Sequence, residues 1–166
     1  MVKPMSDKEP DLLIAYLETG FPEVIRAAAS RSPILIRGES ASLRSRLVRL
    51  IHDLGSEPGA PLIHFDCGAR VERRLPVDGR GTRFLDRVEL LDRRGQLYLK
   101  ALIEKPRRWG MAPFPGTRMV FGCGDDLFER VGAGLFIPDL YYLISVLELA
   151  LPRGERAATS LSAEPR

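Results

Sequence analysis

Two histidines and two cysteines are the side chains of this sequence most suited to metal or nucleophilic chemistry, and their spacing narrows the choice. His52 and His64 do not stand at metal-ligand spacing to each other, and structural or surface roles are the simpler reading. Cys67 and Cys123 each close an apolar run, Pro-Leu-Ile-His-Phe-Asp-Cys and Met-Val-Phe-Gly-Cys. Two such cysteines read as reduced core residues rather than as a disulfide or a metal site. No metal site and no cofactor is expected. Arginine is the conspicuous residue: Arg70, Arg73, Arg74, Arg80, Arg83 and Arg87 crowd one stretch, and Arg107 and Arg108 sit beside Trp109. Clusters of this kind can bind anions, and a solvated arginine-rich surface is the plainer alternative.

Such groups need a scaffold, and 166 residues are enough for one domain with a real core. Hydrophobic residues make up 45% and charged residues 28%, the balance of a soluble globular chain with a net charge of +3. No apolar run reaches bilayer-spanning length. Asp7, Glu9 and Asp11 interrupt the N-terminus before a signal-peptide core could form, so a cytoplasmic location is expected.

The elements follow from periodicity and punctuation. Residues 11–18 read as a short helix closed by Gly20, with Pro22 opening a second helix to about Ala29. Residues 33–37, Pro-Ile-Leu-Ile-Arg, form a short apolar run of the buried parallel-strand kind. Residues 41–54 return to helical spacing, with Leu43, Leu47, Leu50, Ile51 and Leu54 on one face. Further strands are expected at 62–67, 82–86, 118–123 and 146–151, with a loop at 68–81. Helices are expected at 92–104, with Leu97, Ala101 and Leu102 on the apolar side, at 125–130 and at 138–144. Strands alternating with helices predict a parallel sheet covered on both faces.

With that order in place, six segments resemble the AAA+ domain of the sigma-54 activators, the bacterial enhancer-binding proteins. Residues 33–40 look like its first strand and P-loop opening. Cys67 in Phe-Asp-Cys-Gly-Ala is similar to its Asn-Cys-Ala segment, and Gly81-Thr-Arg-Phe-Leu-Asp86 to its Walker B strand. Residues 96–104 resemble the following helix and residues 118–127 the sensor strand. Phe136-Ile-Pro-Asp-Leu-Tyr-Tyr142 resembles its Phe-Arg-x-Asp-Leu-Tyr-Tyr-Arg run. The match runs collinearly over roughly residues 20–156. It implies a three-layer α/β fold of the P-loop NTPase (AAA+) type with a five-stranded parallel sheet. The implied division is an N-terminal helical extension at 1–20, the core at 21–152 and a flexible tail at 153–166.

The resemblance also implies which residues grip and hydrolyse ATP, and several are changed. Gly38, Glu39, Ser40, Arg44, Ser45 and Asp86 are what remains of a nucleotide site. Leu43 stands for the second P-loop glycine and Arg44 for the lysine. Leucine does not share glycine's conformational range, and a guanidinium fork is not a compact ammonium. Asp86 is retained, but the next position, a water-polarising glutamate in the family, is Arg87, and a cation is no general base. Gly124 replaces the sensor asparagine, and Ile137 and Leu143 replace two arginines that act on a neighbour's phosphate. The sigma-contacting Gly-Ala-Phe-Thr-Gly-Ala loop, due between Cys67 and Gly81, has no counterpart. The helical lid and the helix-turn-helix due after residue 156 have none either.

The expectation is therefore a non-enzyme: a pseudo-ATPase acting as a regulatory interaction module in bacterial transcription or signalling. A protein partner is expected, one candidate being a full-length AAA+ activator, and direct DNA or membrane binding is not. A cyclic di-GMP sensor using Arg46, Arg49, Arg107, Arg108 and Trp109 is one alternative. An ATP or ADP binder without turnover is the other. The simplest role for Tyr141 and Tyr142 is packing.

Overall fold

A computed structural model of the chain describes residues 9–69, 75–77, 79–105, 115–124 and 126–153. Five strands, β1 (Ile34–Arg37), β2 (Leu62–Asp66), β3 (Gly81–Asp86), β4 (Thr117–Cys123) and β5 (Leu147–Ala150), form one sheet in the order β2-β3-β4-β1-β5. Every pairing is parallel, with Ile34 opposite both Val120 and Leu147, and Phe84 opposite His64 and Val120. Five helices accompany them: α1 (Glu9–Ala29), α2 (Ala41–Asp53), α3 (Arg93–Glu104), α4 (Leu127–Gly132) and α5 (Pro138–Ile144).

Strand alternation assigns the two faces. Leu35, Leu85, Met119, Phe121 and Cys123 point to one side and pack with Leu99 and Ile103 of α3, Leu127 of α4, and Leu140 and Ile144 of α5. Ile34, Ile36, Phe84, Val120 and Leu149 point to the other side. There they meet Val24, Ala27 and Ala28 of α1 and Leu43, Leu47, Val48 and Ile51 of α2. Both faces are thus covered, as the alternation of elements requires. Among the described residues no helix is long and apolar enough to cross a membrane.

Three local readings of the sequence change. First, α1 is one continuous helix through Gly20 and Pro22 rather than two. Packing of its inner stripe against α2 and β5 outweighs the local cost of glycine and proline. Second, α3 buries Gln96, Leu99 and Ile103, whereas Leu97 is 51% exposed and Ala101 faces solvent. A buried polar residue on the inward face misled the hydrophobic pattern. Gln96 donates to the carbonyls of Leu91 (2.9 Å) and Leu135 (3.1 Å) and accepts from the Ile137 amide (2.9 Å), tying α3 to the start of α5. Third, Tyr141 packs at the core edge, whereas Tyr142 is 65% exposed and its ring meets that of Tyr141 edge-on at 5.2 Å.

The two histidines differ in setting. His52 is buried, with Nδ1 2.9 Å from Thr82 Oγ1 and Nε2 3.1 Å from the Pro58 carbonyl. His64 lies against the Phe84 ring at 4.7 Å. Both cysteines are free, and burial pushes each thiol up to about 12, so neither forms a thiolate at neutral pH.

Candidate functional site

β1 lies between β4 and β5, and the chain leaves it through Gly38 into the turn that starts α2. Gly38 donates to the Cys123 carbonyl at 3.0 Å, which fixes the turn to the end of β4. Ser40 caps α2, its Oγ accepting from the Leu43 amide at 3.2 Å. Leu43 is therefore already helical, and its side chain is buried among Leu47, Val48 and Ile51. The residue standing for the P-loop glycine thus adds to the core and carries no left-handed backbone; Arg87 is the non-glycine residue with positive φ among those described.

One helical residue later, Arg44 turns under the sheet's carboxyl edge and is 1% exposed. Its Nε donates to Asp86 Oδ1 at 2.6 Å and its Nη2 to Asp86 Oδ2 at 2.9 Å, while Nη1 donates to the Gly38 carbonyl. This is a bidentate, charge-assisted fork, closed on the opposite side by backbone. Arg44 follows β1 and Asp86 ends β3, and the sheet order inserts β4 between those strands. The pair meets because the intervening β4 residue is Gly122. A β-carbon there would stand 2.2 Å from Asp86 Oδ1 and 2.9 Å from the Phe84 ring. Gly122→Ala is expected to destabilise the fold by about 1–3 kcal/mol through this overlap; an unchanged denaturant midpoint would show that Asp86 moves aside without penalty.

Magnesium fits the retained acid only after a rearrangement. Both Asp86 carboxylate oxygens accept from Arg44, so a metal shell on Asp86 requires the guanidinium to withdraw. Asp86 would then be the residue to hold the ion, whose chemistry is neutralisation of phosphate charge.

The remaining positions separate into those the fold brings to this corner and those it does not. Glu39 and Gly124 line a cavity of about 830 Å³ beside Gly38, together with Arg37, Arg130 and Arg153. Arg37 spans its rim, paired with Asp126 at 3.1 Å and Glu148 at 3.0 Å. Ser45 and Arg46 are half-buried further along α2 and Arg49 is exposed. Arg107, Arg108 and Trp109 lie outside the described residues, as do Arg70, Arg73 and Arg74.

Arg87 does not face the corner. It stands at φ 57°, ψ 45°, a left-handed backbone costing about 1–3 kcal/mol for such a residue. Its guanidinium grips Asp66 at the end of β2, with Nε at 2.7 Å. The Arg87 hydrogen bond holds the Asp66 carboxyl below the usual carboxylate range. Its folded value being depressed, the pair's contribution is complete at neutral pH and fades as acid protonates Asp66; the pair is half-exposed and its effect is screened.

A buried acid near Gly124 that the sequence reading did not single out is Glu89. A 3-10 turn, Val88–Leu90, follows Arg87 and carries Glu89 inward to 6% exposure. Its Oε1 accepts from the Gly124 amide at 2.9 Å. The left-handed residue at 87 is what brings the side chain two positions later back toward the sheet. A short apolar-flanked glutamate after Asp86 was the available signal.

No family model matches the chain. Among curated proteins it is 30% identical to the response regulator protein PilR of Pseudomonas aeruginosa over 157 residues, covering 78% of this chain and 35% of PilR. It is 27% identical to the Nif-specific regulatory protein of Rhizobium leguminosarum bv. trifolii over 180 residues, covering 90% of this chain and 51% of that protein. The chain thus spans about a third to a half of these relatives. Among solved structures, NtrX from Brucella abortus in complex with ADP superposes with a TM-score of 0.65 at 19% identity, over 92% of this chain and 38% of that one. The P-loop NTPase domain of the sigma-54 transport activator from E. coli superposes at 0.62 and 18% identity, over 89% of this chain and 99% of that domain.

The α/β fold with a five-stranded parallel sheet is therefore that of P-loop NTPase domains. The expectation of a non-enzyme is corrected by the same finding. Substitutions at 43, 44, 87 and 124 are changes within a fold shared with a nucleotide-hydrolysing domain, and they do not exclude turnover.

Proposed function

We propose that the chain is a regulatory module of bacterial transcription control, working through contact with another protein, and that a nucleotide enters its site by displacing Arg44 from Asp86. Residues 21–152 are its working core, and a full-length AAA+ activator is the partner we favour. The similarity to regulators such as PilR and the Nif-specific protein supports the regulatory part. The clasp of Arg44 on Asp86 and the Gly38 carbonyl is the observation that carries the nucleotide part. The groups that would otherwise meet phosphate and magnesium satisfy one another, so binding must first break a buried ion pair.

Calorimetry with magnesium-ATP and magnesium-ADP on the wild type and on Arg44→Lys tests this. A lysine is a point charge and cannot hold two carboxylate oxygens and a carbonyl with one rigid fork. Nucleotide affinity is expected to rise at least about tenfold in the variant, equivalent to about 1.4 kcal/mol. Equal affinity in the two proteins would remove the clasp as the barrier. Co-purification of the tagged chain with a full-length AAA+ activator tests the partner, and recovery as an inert monomer would count against it.

A further inference from the structure

β2 closes one edge of the sheet, and its backbone groups alternate between the sheet and the outside. The Pro61 carbonyl accepts from the Thr82 amide at 2.9 Å, and the Cys67 amide donates to the Asp86 carbonyl at 2.9 Å. Between them Leu62 to Asp66 run in parallel register with Thr82 to Asp86. In such a ladder a residue turns its N–H and its C=O to the same neighbour, so Ile63 and Phe65 also face β3. Leu62, His64 and Asp66 therefore aim their backbone groups away from the sheet. Among the described residues no strand pairs with them, and the Asp66 carbonyl alone is used, by the Ala69 amide at 3.2 Å.

An open edge recruits another strand unless lysine, proline or a bulge blunts it. Residues 62–66, Leu-Ile-His-Phe-Asp, contain none of these. The opposite edge, β5, is shorter and carries Glu148, held by Arg37 at 3.0 Å. One face of β2 is also apolar and incompletely covered: Ile63 is 39% exposed and Phe65 is half-buried at the core edge.

We propose that β2 pairs antiparallel with β2 of a second copy of this chain, about a two-fold axis through His64. The occupant follows from the strand's fit to itself. With His64 opposite His64 of the second copy, Leu62 falls opposite Asp66 of that copy. All three outward-facing residues of each strand then meet outward-facing residues of the other. Ile63 falls opposite Phe65 of the second copy, and this aliphatic–aromatic cross-strand pair occurs twice. Charge does not oppose the pairing. The two Asp66 carboxylates stand at opposite ends of the ribbon, about 13 Å apart by strand rise and beyond a Debye length in physiological salt. This surface is independent of the nucleotide reading above.

Two variants test it. His64→Pro removes an outward N–H and no bond to β3, a change that edge strands tolerate. Ile63→Lys puts an ammonium into the apolar pair at a position already open to water. The measurements are sedimentation equilibrium over a concentration series and amide hydrogen exchange by NMR at its two ends. The average mass of the wild type is expected to climb from one chain toward two. Its Leu62, His64 and Asp66 amides are expected to exchange at least about tenfold more slowly at the high concentration, while those of Ile63 and Phe65 are protected at both. Ile63→Lys is expected to stay at the mass of one chain, and so is His64→Pro if it folds. A wild type that remains one chain throughout overturns the proposal, as does dimerisation undiminished by Ile63→Lys. Protection of the three outward amides only when a different protein is added would give the edge to that partner and overturn self-pairing.

Discussion

Arg44→Met is expected to cost the fold about 3–5 kcal/mol, read as a fall in the denaturant midpoint, because it strands a buried anion. Methionine fills much of the arginine stem's volume, so lost packing is minor. What it removes are the two donors to Asp86 and the donor to the Gly38 carbonyl, all inside a region where Arg44 is 1% and Asp86 3% exposed. Asp86 then has lost its guanidinium partner, and His64 Nε2 stands 3.9 Å from Oδ2. A second substitution distinguishes the pair from its parts. Arg44→Met combined with Asp86→Leu replaces both charges by apolar groups and is expected to recover most of the loss. A single variant costing less than about 1 kcal/mol would mean that water reaches Asp86 and that the clasp is no buried pair.

Arg118→Met is expected to cost about 2–4 kcal/mol by orphaning two helix-end carbonyls, with no effect at the nucleotide corner. Arg118 is the second residue of β4, at the opposite end of the sheet from Arg44. It is 5% exposed, and its guanidinium donates to the Ile51 carbonyl of α2 at 3.2 Å and to the Ala28 carbonyl of α1. These are last-turn carbonyls that lack helical donors, at the negative ends of both helix dipoles. Gly55 makes the approach possible, since a β-carbon there would lie 2.2 Å from Arg118 Nη1. Burial lowers the Arg118 pKa, and a guanidinium stays charged regardless. The loss should add to that of Arg44→Met, because the two residues share no partner. Coupling between them beyond about 0.5 kcal/mol would show that the two ends of the sheet communicate.

The candidate site was only partly legible. Gly38, Arg44 and Asp86 were named through the family resemblance, whose segments follow one another in the same order along the chain. Their meeting was not legible, since Arg44 and Asp86 are separated by 42 residues and bond across β4 only where Gly122 lacks a side chain. Glu89 was missed because its approach to Gly124 depends on the left-handed backbone of Arg87, which no propensity for arginine predicts.

Alternating apolar runs and amphipathic stretches were sufficient by themselves for the five parallel strands, the helices that follow the first, third and fourth of them, and the two-sided core. Hydrophobic periodicity is a local property, and burial enforces it. The tertiary structure alone decided the strand order β2-β3-β4-β1-β5, the inward face of α3 with its buried Gln96, and the continuity of α1. It also decided that the arginine of the first turn clasps the acid of the third strand. Contacts between residues far apart in the chain depend on which elements become neighbours, and neighbours are chosen by the packing of the whole core.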